Sequence, residues 1–242
     1  MAQESGRGTP LAQATEAAIR EGIIEGRYAP GARLRERELS EELGVSRLPV
    51  REALRNLRYD GFITTTAHKG ATVRTMSVEA VDELFDLRIR LEPFAAEEAA
   101  RRHARGDLHE GLEQAIAAAD AATQEGSLEG ILLSTAHFHA QIIDAARHEL
   151  LAELMAPILG RTRWLFAMTT FRDPHPELQA HYEIYHAIRD GDPALAGMRM
   201  AAHIEAGRGP SLRAVEASGT DDSPGEGGAS HGGEAPPSPG ES

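Results

Sequence analysis

The fold is decided by residues 38–61, which read Glu38-Leu-Ser-Glu-Glu-Leu-Gly-Val-Ser-Arg-Leu-Pro-Val-Arg-Glu-Ala-Leu-Arg-Asn-Leu-Arg-Tyr-Asp-Gly61. The pattern predicts a helix, a tight turn and a second helix. Gly44 can adopt the left-handed conformation that ends the first helix, because it has no Cβ. Ser46 is a good N-cap for the second helix. Pro49 falls in the first turn of that helix, where a missing N–H costs nothing.

The second helix has two different faces. Apolar residues at helical spacing form one face and arginines form the other. An ordinary amphipathic helix with a solvated basic face is the alternative. The turn chemistry favours DNA binding, as does the start of the arginine row at the helix N-terminus, where side chains reach base edges in the major groove. The apolar residues are Val50, Ala53, Leu54 and Leu57, and the arginines are Arg47, Arg51, Arg55 and Arg58.

A segment that resembles a hairpin follows the second helix. Residues 62–66 read Phe-Ile-Thr-Thr-Thr, and residues 71–73 read Ala-Thr-Val, with His68-Lys69-Gly70 between them. Threonine and β-branched residues around a glycine turn predict two short strands joined by a wing. A helix-turn-helix followed by such a wing indicates a DNA-binding domain.

The charge of the chain agrees with DNA binding once the chain is divided. Residues 1–75 contain 12 Lys and Arg residues against 10 Asp and Glu residues, a net charge of +2. The remainder contains 13 against 28, which gives −15 there and −13 for the whole chain. The cations are therefore concentrated at the motif, and the acidic remainder is expected to face away from DNA.

Length indicates one or two folded domains, and the hydrophobic content is sufficient for their cores. The chain has 242 residues, of which 41% are hydrophobic, and no cysteine, which excludes disulfides and thiolate metal sites. No stretch approaches about 18 uninterrupted apolar residues, so we expect a cytoplasmic protein without a membrane span. We predict a DNA-binding domain over residues 10–74, a helical domain over residues 77–208 and a disordered tail over residues 209–242, which has almost no large apolar side chains.

The second domain shows helical periodicity and no strand pattern. We therefore predict a mainly α fold, with an N-terminal winged helix-turn-helix and a C-terminal antiparallel bundle of about six helices. The predicted helices span residues 78–104, 107–125, 128–146, 148–170, 175–190 and 193–208. The predicted inward residues of the first are Val81, Leu84, Phe85, Leu87, Leu91 and Phe94.

Three histidines lie on three different predicted helices of this bundle, each beside an apolar pattern. They are His139, His181 and His203. Three inward histidines from separate helices can share one divalent metal such as zinc. A single histidine near an apolar face is usually structural, and the chain has 11 histidines. Both interpretations stay open on the residues alone.

Residues 19–73 resemble the winged helix-turn-helix of the GntR family of bacterial transcription regulators. Besides residues 38–54, the match includes residues 26–34, Gly-Arg-Tyr-Ala-Pro-Gly-Ala-Arg-Leu, as well as residues 60–63 and 70–73. The resemblance implies that three arginines and a hydroxyl contact DNA, and that the wing tip approaches the minor groove. The implied DNA-binding positions are Arg37, Ser46, Arg47, Pro49, Arg51, His68, Lys69 and Gly70.

The helical domain resembles the FCD ligand-sensing domain that accompanies the FadR-type branch of GntR regulators. The matching residues are Leu87-Arg-Ile-Arg-Leu-Glu-Pro93, Phe138-His139, His181, Gly191-Asp192-Pro193 and His203. Many FCD domains bind a divalent metal through an Asp or Asn and three histidines. The resemblance therefore implies that His139, His181 and His203 are metal ligands.

The acidic position of this ligand set falls on Thr135, which is a departure from the family pattern. A neutral hydroxyl is a weak ligand, and loss of a carboxylate weakens a divalent site. Three outcomes follow: a three-histidine site with water, a site that relies on the effector's carboxylate, or no stable metal. The family's usual Gly-Asn after this helix is also replaced, by Arg147-His148.

The effector that the resemblance implies is a small carboxylic acid. Arg88 matches a family position that points into the cavity, where its guanidinium can hold a carboxylate through two parallel hydrogen bonds. The alternative is a surface salt bridge between Arg88 and Glu92. Arg90 is expected to face elsewhere, since it lies about 200° around the helix from Arg88.

The sequence therefore predicts a DNA-binding transcription regulator, such as a repressor. A homodimer would bind a near-palindromic operator, and a small organic acid would control its affinity. One alternative is a regulator whose bundle serves only for dimerisation. The other is a metal-dependent enzyme, which is disfavoured because no general base is evident beside an open metal position.

Overall fold

The computed structural model describes residues 9–66, 70–107, 109–169 and 174–218. Within these residues the fold is mainly α, as predicted, and no helix is long and apolar enough to cross a membrane. The winged domain comprises α1 Pro10–Ile24, β1 Arg33–Leu34, α2 Glu36–Glu42, α3 Arg47–Tyr59, β2 Ile63–Thr66 and β3 Gly70–Val73. The bundle comprises α4 Val78–His103, α5 Glu110–Glu125, α6 Leu128–Ala145, α7 Glu149–Met168, α8 Pro174–Arg189 and α9 Pro193–Ala217.

The helix-turn-helix forms as its turn chemistry predicts. Gly44 is left-handed with φ +65°, and Ser46 occupies the N-cap position of α3 with an extended backbone. The apolar face of α3 is buried, including Val50. Pro49 is buried as well. The Pro49 ring, one of the predicted DNA-binding positions, packs inside the domain in the first turn of α3, where proline favours the start of a helix.

The wing contains one strand more than the sequence predicts. β3 pairs with both other strands in the order β1-β3-β2, and all pairings are antiparallel. β1 has only two residues, with Arg33 opposite Thr72 and Leu34 opposite Ala71. A strand this short cannot show a period-2 pattern, so sequence reasoning had no signal for it.

The capping residues predicted between α5 and α6 have the conformations that end one helix and begin the next. Gly126 is left-handed with φ +64° and ends α5, and the Ser127 hydroxyl accepts from the N–H of Gly130 at the start of α6. Where the family has Gly-Asn, Arg147 takes the left-handed conformation with φ +45°. His148 then accepts from the N–H of Leu151 through Nδ1 and caps α7.

The last helix is longer than predicted. The tail was expected to begin at residue 209, but α9 continues to Ala217 through Pro210. Ser211 and Val215 are buried, so packing of this face outweighs the local helix-breaking preference of Pro210. Arg208 ties this part of α9 to the start of α4 by ion pairs with Asp82 and Asp86. Residues 219–242 of the predicted tail lie outside the described residues.

Two residues predicted to face the interior from α4 are exposed. Leu87 is 50% exposed and Phe94 is 39% exposed, so the prediction was wrong for them. The predicted stripe was too wide: Val81, Leu84 and Phe85 are buried, and Leu91 is partly buried against the core. Leu150 and Leu154 of α7 are exposed as well.

The winged domain packs directly against α7 of the bundle. Phe62, which precedes β2, stacks on Trp164 with ring centroids 5.6 Å apart, and both rings are buried. Arg163 forms an ion pair with Glu21 of α1, including an Nη1···Oε2 distance of 2.8 Å. The backbone of Gly160 lies so close that an added Cβ would be 3.2 Å from the Phe62 ring. α7 therefore contacts both the first helix and the wing of the DNA-binding domain.

Candidate functional site

The outer surface of the winged domain is a shallow groove lined by arginines. Arg47 and Arg51 of α3 are both exposed there, as the recognition-helix prediction requires. Sequence reasoning did not single out the contribution of β1 to this groove, because the strand itself was missed. The arginines that line the groove are Arg33, Arg35, Arg37, Arg47, Arg51, Arg55 and Arg58.

One carboxylate holds both recognition-helix arginines. Glu36 accepts from Arg51 through Nε and Nη2, at 3.1 and 3.0 Å, and its Oε2 lies 3.3 Å from Nη2 of Arg47. The hydrogen bond from Arg51 lowers the pKa of Glu36, so the carboxylate is ionised at pH 7. Glu36 therefore orients two guanidinium groups before DNA arrives. Sequence reasoning missed it, although it lies directly before Arg37, one of the predicted DNA-binding positions.

Two other predicted DNA-binding residues, Arg37 and Gly70, line the same groove, and Ser46 is exposed at the start of α3. Arg37 lies in the first turn of α2 and is exposed, with Glu41 3.6 Å away. The Ser46 side chain is exposed and makes no capping hydrogen bond. Gly70 begins β3 in the left-handed conformation with φ +78°. His68 and Lys69, the predicted wing tip, lie outside the described residues.

The three predicted histidines converge in the bundle. Nε2 of His203 lies 3.2 Å from Nε2 of His139 and 3.3 Å from Nε2 of His181. One nitrogen from each ring lies within 4.8 Å of the others. Two ligands of a tetrahedral zinc ion, each at about 2.0–2.1 Å, are about 3.3 Å apart. The two nitrogen pairs that involve His203 therefore have the spacing that a shared ion requires.

The protonation of these rings also suits a cation. Burial is the main cause that lowers the pKa of His181 and of His203 well below the usual value, so both rings are neutral at pH 7. One proton on Nε2 of His203 cannot satisfy both neighbouring nitrogens. The second short contact is then left without a full hydrogen bond, and a divalent ion between the three nitrogens would instead be coordinated by their lone pairs.

A buried acid–base pair adjoins the histidines. Glu92 accepts from Nε of Arg88 at 2.6 Å and from Nδ1 of His139 at 2.5 Å, and Arg88 and Glu92 are each 1% exposed. Burial acts to raise the pKa of Glu92, but Arg88 and His139 outweigh it and lower the pKa well below its usual range. The salt bridge expected as an alternative exists, but it is buried rather than on the surface.

Arg88 also faces the cavity that the resemblance leads one to expect. A cavity of about 320 Å³ is lined by Arg88, His203 and Phe166. The Arg88 guanidinium lies over the Phe166 ring, 5.6 Å from its centroid. Its Nη2 is buried and has no hydrogen-bond partner among the described residues. Arg90, as predicted, is exposed elsewhere. The remaining charged residues of the cavity wall are Glu177, Glu183 and Arg199.

Thr135 is buried one helical turn before His139. It lines a small cavity together with His181, so it lies on the side of α6 that faces the histidines. The structure thus brings His139, His181 and His203 together and leaves a hydroxyl where the family has an acid.

A winged helix with an arginine-lined surface, joined to a helical bundle, defines a DNA-binding transcription regulator. Residues 11–73 match the model of the bacterial regulatory proteins of the gntR family, and residues 83–206 match the FCD domain model. The FCD match alone covers more than half of the chain. The chain belongs to the GntR regulators that carry an FCD domain.

Individual relatives agree with this assignment. The chain is 30% identical over 211 residues to the HTH-type transcriptional regulator LutR of Bacillus subtilis, covering 75% of this chain and 92% of LutR. It is 26% identical over 199 residues to the HTH-type transcriptional repressor RspR of Escherichia coli K12, covering 81% of this chain and 86% of RspR. The crystal structure of a GntR-type regulator from Rhodococcus sp. RHA1 superposes with a TM-score of 0.73 at 28% identity, covering 85% of this chain and 99% of that one.

Proposed function

We propose that this regulator binds a near-palindromic operator as a homodimer and that a small carboxylic acid in the bundle controls its affinity. The observation that carries the proposal is that a candidate metal ligand, His203, and a buried cation, Arg88, line one cavity of about 320 Å³. That volume suits a small organic ligand. A bound divalent ion with an open position would supply a Lewis-acid contact to the carboxylate, and Arg88 would donate to the same ligand.

The experiment that tests this function has two steps. A thermal-shift screen of organic acids identifies a ligand, and fluorescence anisotropy then measures its effect on binding to a duplex selected in vitro from random DNA. We expect operator affinity to change about 5–150-fold with the acid. A regulator whose bundle only dimerises would show no change. Turnover of the acid, followed by chromatography, would instead support an enzyme.

The homodimer is supported by an apolar face on α4 and α7. A single winged helix contacts few base pairs, so pairing two copies about a two-fold axis doubles the site. Leu87 and Phe94 on α4 are exposed, and so are Leu150 and Leu154 on α7. The edge-to-face contact of Phe94 with His148, 5.8 Å between centroids, brings the two helices' apolar rows side by side. We assign this face to a second copy of the chain.

Replacing Leu150 and Leu154 together by glutamate should make the protein monomeric at micromolar concentration. Each leucine contributes about 1.5–3 kcal/mol when buried, and a charge at the interface adds a desolvation cost. Analytical ultracentrifugation measures the outcome. Met198→Glu is the control, because Met198 is as exposed but lies on α9. A dimer that persists in the double variant would place the interface elsewhere.

The metal site predicts a loss of bound ion when two ligands are removed. In the His139→Ala, His181→Ala double variant, zinc content should fall from about one ion per chain to background, since one histidine cannot retain the ion. Elemental analysis of tag-free protein measures it. His186→Ala is the control, because His186 is exposed on α8, the helix that carries His181. Unchanged zinc in the double variant would mean that the ion binds elsewhere.

A further inference from the structure

Glu92 lies between the histidine site and Arg88 and contacts both. Its Oε2 accepts from Nδ1 of His139 at 2.5 Å, and its Oε1 accepts from Nε of Arg88 at 2.6 Å. All three side chains are buried. The two oxygens of one carboxylate therefore hold a ring that faces the other histidines and a guanidinium that lines the cavity.

We propose that Glu92 is a positioning residue that orients a metal ligand and an anion anchor at the same time. This inference rests on the proposed function, because it takes the histidine site to hold a divalent ion. A hydrogen bond from Nδ1–H of His139 to the Glu92 carboxylate keeps the proton on Nδ1, which fixes the ring tautomer and leaves Nε2 free to coordinate. Carboxylate partners of metal-bound histidines fix the ring orientation and increase the basicity of the coordinating nitrogen.

The position of Glu92 also addresses the missing acid at Thr135. The Glu92 carboxylate is in direct contact with His139, one of the candidate metal ligands. Its negative charge would therefore act on a bound ion through the His139 ring. This charge is shared with Arg88. When a ligand carboxylate pairs with Arg88, the guanidinium interacts with two carboxylates instead of one, so its interaction with Glu92 weakens. Glu92 then becomes a stronger hydrogen-bond acceptor for His139. Metal and acid are then expected to strengthen each other's binding, by the same factor in both directions.

Cobalt(II) is the probe that tests the role of Glu92. Metal-stripped, tag-free full-length protein is titrated with cobalt, and visible absorbance reports both affinity and coordination geometry. We expect Glu92→Gln to weaken cobalt binding roughly 10–100-fold and to shift the absorbance bands, because the neutral amide is a weaker acceptor for His139. Glu98→Gln is the control, since Glu98 lies on the same helix and pairs with Arg101. It should bind cobalt as the wild type does.

The outcomes separate this inference from the proposed function. If the wild type binds neither cobalt nor zinc, the proposed metal site fails. If the wild type binds cobalt and Glu92→Gln binds it equally, with the same spectrum, the role of Glu92 alone is overturned.

A second measurement applies if Glu92→Gln does not fold. Nitrogen NMR of the imidazoles in zinc-loaded wild type should show His139 protonated at Nδ1 and coordinated through Nε2. Coordination through Nδ1 would contradict the proposal, because Glu92 occupies that side of the ring.

Discussion

Removal of Arg47 and Arg51 together is expected to abolish specific operator binding. A guanidinium that reaches a guanine edge contributes roughly 1–3 kcal/mol. The double alanine variant should therefore lose about 30-fold or more in affinity. It also leaves the ionised Glu36 without its two partners on the surface that meets the phosphates. Anisotropy titration with the duplex selected by the wild type measures the loss.

The single variants and a control make this test specific. Arg47→Ala and Arg51→Ala share Glu36 as a partner, so their losses are not expected to add. Arg90→Ala removes an exposed arginine from α4 of the bundle and should leave operator affinity unchanged at the same salt concentration. If the double variant binds the selected duplex as tightly as the wild type, α3 is not the recognition helix.

Local chemistry explains what could be predicted of the fold. The turn at Gly44 and the cap at Ser127 involve neighbours in sequence, so a pattern of a few residues was enough to place α3 and α6. The end of α9 was missed for the opposite reason. Gly209 and Pro210 look like a terminator, but the tertiary burial of Ser211 and Val215 keeps this segment helical.

The candidate site shows the same division. His139, His181 and His203 could be found because each adjoins an apolar helical pattern and the resemblance pairs them. The contact of His139 with Glu92 spans 47 positions, and nothing in the sequence around either residue indicates it. Arg88 and Glu92 could be paired from their spacing, but whether the pair was buried depended on how α4 packs in the bundle.

Contacts between the domains, which no sequence pattern indicated, suggest how the cavity communicates with DNA. The short connector at residues 75–77 joins the two domains, so it is one route by which a signal can pass, and Met76 within it is buried. α7 offers a second route. Phe166 lines the cavity, and Trp164, less than one turn away, stacks on Phe62 of the winged domain. A ligand that displaces the Phe166 ring would thus shift the surface on which the DNA-binding domain rests.

Trp164→Leu is expected to eliminate the response to the acid while the protein still binds the operator without it. Leucine fills part of the space but cannot stack on Phe62. The remaining Arg163–Glu21 ion pair is partly exposed, so it is too weak to fix the position of the winged domain. The wild-type response should be about 5–150-fold and that of the variant less than about twofold. Anisotropy with and without the screened acid measures both, after thermal unfolding has confirmed that the variant folds.

Trp164→Phe provides the matched comparison. It keeps a ring against Phe62 and should retain most of the response, although both variants lose volume at the same buried position. The two variants are expected to differ because two recognition helices must lie about 34 Å apart to enter successive major grooves. In Trp164→Leu the winged domain is no longer fixed to α7, so a shift of α7 does not change that distance. If Trp164→Leu responds to the acid as the wild type does, the docking contact does not transmit the signal, and the connector at residues 75–77 carries it instead.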